Sequence, residues 1–429
     1  MYKHNWISND SKEYALQKDL EFWTVLSEKA YPVTHGEIRI PISIEPFIVG
    51  EKEYNELHKD LELFISAAKK IANQYFFDEE IKKIIVINDQ ERILIEESIN
   101  EDFVGIIRPD LFWDDVPKIV ELNADFPDGF FMHDVTANAM LNSLTGKKLF
   151  LIDHDELFSE LLIEQGMNKN SHIFVGYNKN RFFVDEFHLT KLKLKDLGWK
   201  NISVGVFDDL VYRDERFYYD DRPIDLIRRG AELFKLRNIP GLVEKLIASQ
   251  KAGKVKVINN FKNRLLGHKS LLAALWDERF YKYLEINEIE AIKKLLPKTI
   301  KLSQSNVDWV RENKDTLVLK PADLAEGEGV AVGCNLSQRD WDSALDLAMP
   351  NFAYWIVQEK IAIPEEEFTL IDQSSEGLIT ARKKYDFDPH LVLFKDRVKI
   401  GKILVRFSES SILNVMQGGG LTYAFIEKD

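Results

Sequence analysis

The chain has 429 residues, 45% of them hydrophobic and 30% charged, with a single cysteine. That length predicts two or three domains with ample core. The 57 basic against 71 acidic residues leave a net charge of −14, which disfavours a polyanion-binding surface and so nucleic acid.

No apolar run approaches the roughly 18 residues of a spanning helix, so no membrane partner is expected. The start, Met1 to Trp6, lacks the apolar stretch of a secretory signal. One cysteine forbids an internal disulfide, which fits a reducing, cytoplasmic setting. Cys334 itself reads as a small packed residue rather than a nucleophile. None of the nine histidines forms a metal-ligand pair, and there is no Gly-x-Ser-x-Gly elbow, so zinc and serine-hydrolase chemistry have no support.

In chain order, residues 1–75 read as a mainly helical N-terminal segment, broken by an extended stretch at 37–49. β-Branched clusters at 84–87 and 92–95 predict strands, and a hairpin signal follows at 103–124. Residues 76–150 therefore form one part of a sheet. Within 151–240, strand 173–175, amphipathic stretch 184–196 and strand 203–207 suggest a small α/β lobe. Residues 241–353 begin helical and Lys-rich, then give a strand, a Gly-rich loop and a strand between 315 and 333. Residues 354–429 supply further strands at 354–361, 391–394 and 402–407.

The hairpin carries the most chemistry. Two apolar runs flank a turn at 114–117, and a turn centred between Asp115 and Val116 sets Asp110 opposite Glu121 and Arg108 opposite Asn123. Strand alternation puts those four on one face and Pro109, Leu111, Val120, Leu122 and Ala124 on the other. Two carboxylates directly opposite would lie about 5 Å apart and repel. A cation between them relieves that, and two carboxylates with an amide oxygen suit Mg²⁺. Arg108 would stabilise developing negative charge.

Further on, Thr316-Leu317-Val318-Leu319-Lys320-Pro321 is a strand running into a loop with Gly327 and Gly329. Glycines let backbone bend and approach phosphate closely, and Lys320 would add a point charge. Lys269 opens a helix and would reach phosphate. The segment Gln358-Glu359-Lys360-Ile361 would present backbone groups to adenine.

The joint order of these elements resembles the synthetase domain of glutathionylspermidine synthase and, more widely, circularly permuted ATP-grasp ligases. The likeness runs over about 100–425 by motif. It rests on Arg108-x-Asp110, Glu121-x-Asn123-Ala-Asp125, the helix bearing Lys269, Lys320-Pro321 with its Gly-rich loop, and Arg406 on a late strand. The resemblance implies an α+β ATP-grasp fold with permuted motif order, ATP and Mg²⁺ as cofactors, and amide formation through an acyl phosphate. It implies that Asp110, Glu121 and Asn123 hold the metal, that Lys269 and Lys320 contact phosphates, and that Arg108 and Arg406 serve the reacting groups. Asp125 and Asp128 would hold the amine. Ala325 stands where the glutathionylspermidine enzymes carry an arginine, which argues against glutathione as the substrate. The expected partners are a small carboxylate and an amine (amino acid, peptide or polyamine). Two alternatives stay open: loading of an amino acid onto the thiol of a carrier protein, and a non-catalytic ATP-binding protein.

Overall fold

Alternation along the strands decides what each face of the largest sheet carries. The computed structural model describes residues 2–3, 43, 45–130, 149–150, 154–179, 185–324, 327–372, 377–411, 413 and 419–428. The helical reading of 12–36 and the loop residues Ala325 and Glu326 lie outside them. The path of the largest sheet runs Tyr2–Lys3, Phe47–Gly50, Gly420–Glu427, Val398–Ser408, Gly377–Leu393, Gly105–Phe112, Lys118–Asn123. Glu365–Asp372 and Leu149–Phe150 pair alongside that path. Its pairings are antiparallel except that of Phe47–Gly50 with Gly420–Glu427.

Ile107, Leu111, Phe387, Val405 and Phe407 point to one face and join a core with helix Glu51–Gln74. That helix buries Leu57, Leu61, Phe64, Ile65, Ala68, Ile71 and Ala72 at helical spacing. Each large apolar side chain there contributes about 1.5–3 kcal/mol. The residues in between (Arg108, Asp110, Asp386, Leu404, Arg406) are left for the opposite face, which lines a cleft.

A second sheet is wholly parallel, in the order Lys256–Ile258, Leu226–Gly230, His172–Tyr177, Asn201–Val206. Its central strands are buried but for Tyr177 at the end of one, as parallel strands covered on both faces must be. A third, antiparallel sheet runs Thr299–Lys301, Trp355–Glu359, Leu317–Pro321, Ala331–Val332. It packs its own core around Trp341, Leu345, Leu319 and Val357.

The strands expected at 84–87 and 92–95 are not there. Glu79–Ile84 and Asp89–Glu97 are helices, and the segment 85–88 that joins them buries Ile85 and Ile87 without strand pairing. Asp78 and Asn88 cap them, each side chain accepting hydrogen bonds from backbone N–H groups of the first turn. Those caps outweigh the β-branched preference of the isoleucines, which the helices bury as Ile81, Ile84 and Ile95. No helix among the described residues is long and apolar enough to cross a membrane.

Candidate functional site

The hairpin forms with Asp110 paired to Glu121 and Arg108 to Asn123, and the register then slips so that Leu111 pairs with Ile119. Val120 is the extra residue, a β-bulge. It corrects the expected apolar face: Ile119 is buried in the core, while Val120 is half-buried and lines the cleft. Gly105 starts the strand at φ +142, and any Cβ there would strike the Asn259 side chain. Asn259 in turn ties Ile106 and Ala124 together by accepting from the Ile106 N–H at 3.0 Å and donating to the Ala124 carbonyl at 2.7 Å.

Asp110 is the centre of a buried charge network. Its Oδ1 accepts from Arg108 Nε at 3.0 Å and Asn123 Nδ2 at 2.9 Å, and its Oδ2 accepts from Arg406 Nη2 at 2.8 Å. Arg406 also donates to Asp386 Oδ2 at 2.6 Å and pairs with Asp388 Oδ2 at 2.5 Å. Burial pushes the Asp110 carboxyl up, but the Arg108 and Arg406 guanidiniums outweigh it and hold the group at about 2. For Asp386 burial wins over Arg406, and its carboxyl rises to about 6. Burial likewise lifts Asp388, fully enclosed, well above the carboxylate range.

Across the cleft stand the lysines. Lys320 Nζ donates to the Val120 carbonyl at 3.0 Å and to Gln358 Oε1 at 2.6 Å, and Gln358 donates onward to Thr299 Oγ1 at 3.0 Å. Lys320 has no carboxylate in ion-pair contact among the described residues, and burial pulls it down to about 8. Lys269 Nζ bridges Glu121 Oε1 at 2.8 Å and the Leu324 carbonyl at 2.6 Å. The cleft between these walls encloses about 460 Å³.

Most of the expected site residues meet there. Arg108, Asp110, Glu121, Asn123, Asp128, Lys320, Gly327, Gln358, Glu359, Lys360, Ile361 and Arg406 line the cleft, and Lys269 reaches it through Glu121. Gly329 sits at φ +72 beside Pro321, shaping the loop from behind. Asp125 departs from expectation. Its carboxylate is bonded by the buried Arg229 guanidinium and by the Leu233 N–H at 2.8 Å, so it braces the fold and is turned from the cleft. Gln358 presents no side chain to a base, since it is buried between Lys320 and Thr299. The Glu359 and Lys360 N–H groups bond to the Lys298 and Thr316 carbonyls, and the cleft lining continues through 361–363. Cys334 is exposed on the cleft rim, not packed inside as expected. A tight turn after the strand Ala331–Val332 turns it outward.

Asp386 and Asp388 were not anticipated. The signal was present as Tyr385-Asp386-Phe387-Asp388, carboxylates alternating with buried aromatics along a strand. The donors of the hairpin fit a hard divalent cation: Asp110 and Glu121 offer carboxylate oxygens, and Asn123 an amide oxygen. Three hydrogen bonds to Asp110 leave lone-pair capacity on its two oxygens. Asp110, Asp386 and Asp388 also lie within 4.8 Å of one another, but Arg406 already fills that space.

The cleft lies between the large sheet, which carries Asp110, Glu121, Arg108 and Arg406, and the sheet that carries Lys320, in a mixed helix-and-sheet fold. No family model and no curated protein matches the sequence. Among solved structures, the chain is similar over 98% of its length to all of a glutathione synthetase-like effector from Globodera pallida, with TM-score 0.65 and 12% identity. The two share a fold. Looser likenesses run to a gamma-glutamylcysteine synthetase of Methylobacillus flagellatus (TM-score 0.45, 12% identity, 83% of this chain and 86% of that one). D-alanyl-alanine synthetase A of Vibrio cholerae is looser still (0.30, 10%, 60% and 88%). At those scores individual elements are not matched.

Proposed function

We propose that the chain is an ATP- and Mg²⁺-dependent carboxylate–amine ligase of the ATP-grasp type, with the metal-binding hairpin preceding the nucleotide-binding lysine in sequence. The observation that carries this reading is the convergence of Asp110 and Glu121, directly opposed on one hairpin, with Lys269 and Lys320 on the facing wall of one cleft. The fold shared with a glutathione synthetase-like effector is consistent with it.

Bound Mg²⁺ would neutralise phosphate charge and template the nucleotide. Asp110, Glu121 and Asn123 would hold it. Lys320 is kept extended across the cleft by Gln358 and presents its ammonium to the phosphates. Lys269 exchanges Glu121 for phosphate when nucleotide arrives. The acid substrate's carboxylate oxygen attacks the γ-phosphorus, the bond to ADP breaks, and an acyl phosphate forms. An amine then attacks the acyl carbon and phosphate leaves, giving an amide. Arg108 and Arg406 face the charge that develops on the transferred group. No activated Ser or Cys is required, because positioning and charge neutralisation do the chemistry. Asp128, exposed at the mouth where its carbonyl accepts from Arg108 Nη1 at 2.9 Å, would meet the amine.

The test is ADP release on incubation with Mg²⁺, ATP, a panel of amino acids and peptides, and amines, with hydroxylamine to trap the acyl phosphate. Asp110→Asn and Glu121→Gln should each lower turnover by about a thousandfold, on the scale of ~1.4 kcal/mol per tenfold. ADP release that requires a thiol carrier instead of an amine would reassign the acceptor. Nucleotide binding without turnover across the panel would remove the ligase reading.

A further inference from the structure

Arg406 is held by more acidic side chains than its own neutralisation needs. Asp110, which it contacts, is already paired with Arg108, yet Asp386 and Asp388 are added, both buried. They are alternate residues of strand Gly377–Leu393, and Asp386 lies in register with Arg406 on the neighbouring strand. Asp388 Oδ2 approaches Nε at 2.5 Å, while Asp386 Oδ2 takes Nη2 at 2.6 Å, the nitrogen that also reaches Asp110 at 2.8 Å. Nε and Nη2 are thus fully engaged. Nη1 makes no hydrogen bond among the described residues, and the side chain lines the cleft.

We infer that Asp386 and Asp388 are positioning residues that clamp Arg406 so that Nη1 alone is aimed at the transferred phosphoryl group. The inference rests on the ligase reading for what occupies the cleft. A guanidinium on a free arginine stem must lose several rotors to meet an anion. One locked beforehand on two carboxylates loses few, and it leaves a fixed donor where charge appears. Two acidic side chains at alternate positions of one strand impose that geometry, because bonds donated by a charged guanidinium are short and directional. The clamp also separates roles: Asp110 would face the metal, whereas Asp388, wholly enclosed, engages Arg406.

The experiment titrates inorganic phosphate, standing in for the transferred group, into protein saturated with MgADP. It compares the wild type, Arg406→Gln, Asp388→Asn and the double variant by calorimetry. Each single change should weaken phosphate binding about tenfold, and the double variant should bind no more weakly than Arg406→Gln alone. That non-additivity is the signature of a residue acting through Arg406. A purely structural aspartate would instead lower melting temperature and add to the arginine's effect. If Asp388→Asn does not fold, Asp386→Asn keeps the Nε contact and is read the same way. Unchanged phosphate affinity in the aspartate variants, additive losses, or no phosphate binding by the wild-type MgADP complex would each overturn the clamp. A wild type that binds no MgADP at all fails at an earlier step and removes the ligase reading itself.

Discussion

On the large-sheet wall of the cleft, Arg108 and Arg406 are bonded to carboxylates, whereas on the facing wall Lys320 is held by a carbonyl and an amide oxygen; Lys301, on strand Thr299–Lys301 of the same sheet, likewise donates to a neutral partner, Ser270 Oγ, at 2.8 Å. The first arrangement compensates charge and fixes geometry, and it keeps the Arg406 guanidinium protonated far above its ordinary range despite burial. The second satisfies hydrogen bonds while leaving charge uncompensated, so burial pulls Lys320 to about 8 and Lys301 to about 7. Neutral partners thus keep a cation available for an incoming anion, at a cost to the folded state.

Removing charge from each wall should therefore have opposite effects on stability. Arg406→Leu buries Asp110, Asp386 and Asp388 without the cation they share, and breaking a buried ion pair in that way costs about 3–5 kcal/mol. Denaturant melts should show the largest loss of any change at the cleft. Lys320→Met removes only a cation on neutral partners. Its stability should match or exceed the wild type, while affinity for MgATP falls by about a hundredfold in calorimetry. Comparable destabilisation by both would erase the distinction between the walls.

Lys269 stands between the two regimes, because it bridges Glu121 and the Leu324 carbonyl. Lys269→Met frees Glu121, so Mn²⁺ without nucleotide should bind several-fold tighter, as read from Mn²⁺ paramagnetic relaxation of water. Weaker or unchanged Mn²⁺ binding would show that the pair does not occlude the metal ligand. The smallest effect belongs to Lys301. Its folded value near 7 lies below the unfolded value of about 10.4, so between them the unfolded chain binds the extra proton and stability rises with pH. The advantage of Lys301→Met over the wild type should be greatest at pH 7 and below, and should vanish towards pH 10. A constant difference across that range would show that Lys301 keeps its proton in the folded protein.

What the sequence disclosed follows the same division between near and far. The pairing of Asp110 with Glu121 was legible because a short turn sets hairpin register and strand parity does the rest. The bulge at Val120 was not, since it reflects the third sheet: Lys320, two hundred positions away, takes that carbonyl. Asp386 and Asp388 gain meaning only when Arg406 is brought alongside by strand pairing. Asp125 reads like its neighbours in the motif, yet a buried arginine from the parallel sheet claims it. At 78–97 the error was local, with capping by Asp78 and Asn88 overlooked in favour of β-branched content.

The outward-facing thiol of Cys334 gives the cleft a practical property. It is the chain's sole sulfhydryl and it lies on the rim that Gly327 and Lys360 share. A maleimide fluorophore would therefore attach at a single place without any engineered background, and the dye's emission would track the arrival of a guest in the unaltered protein.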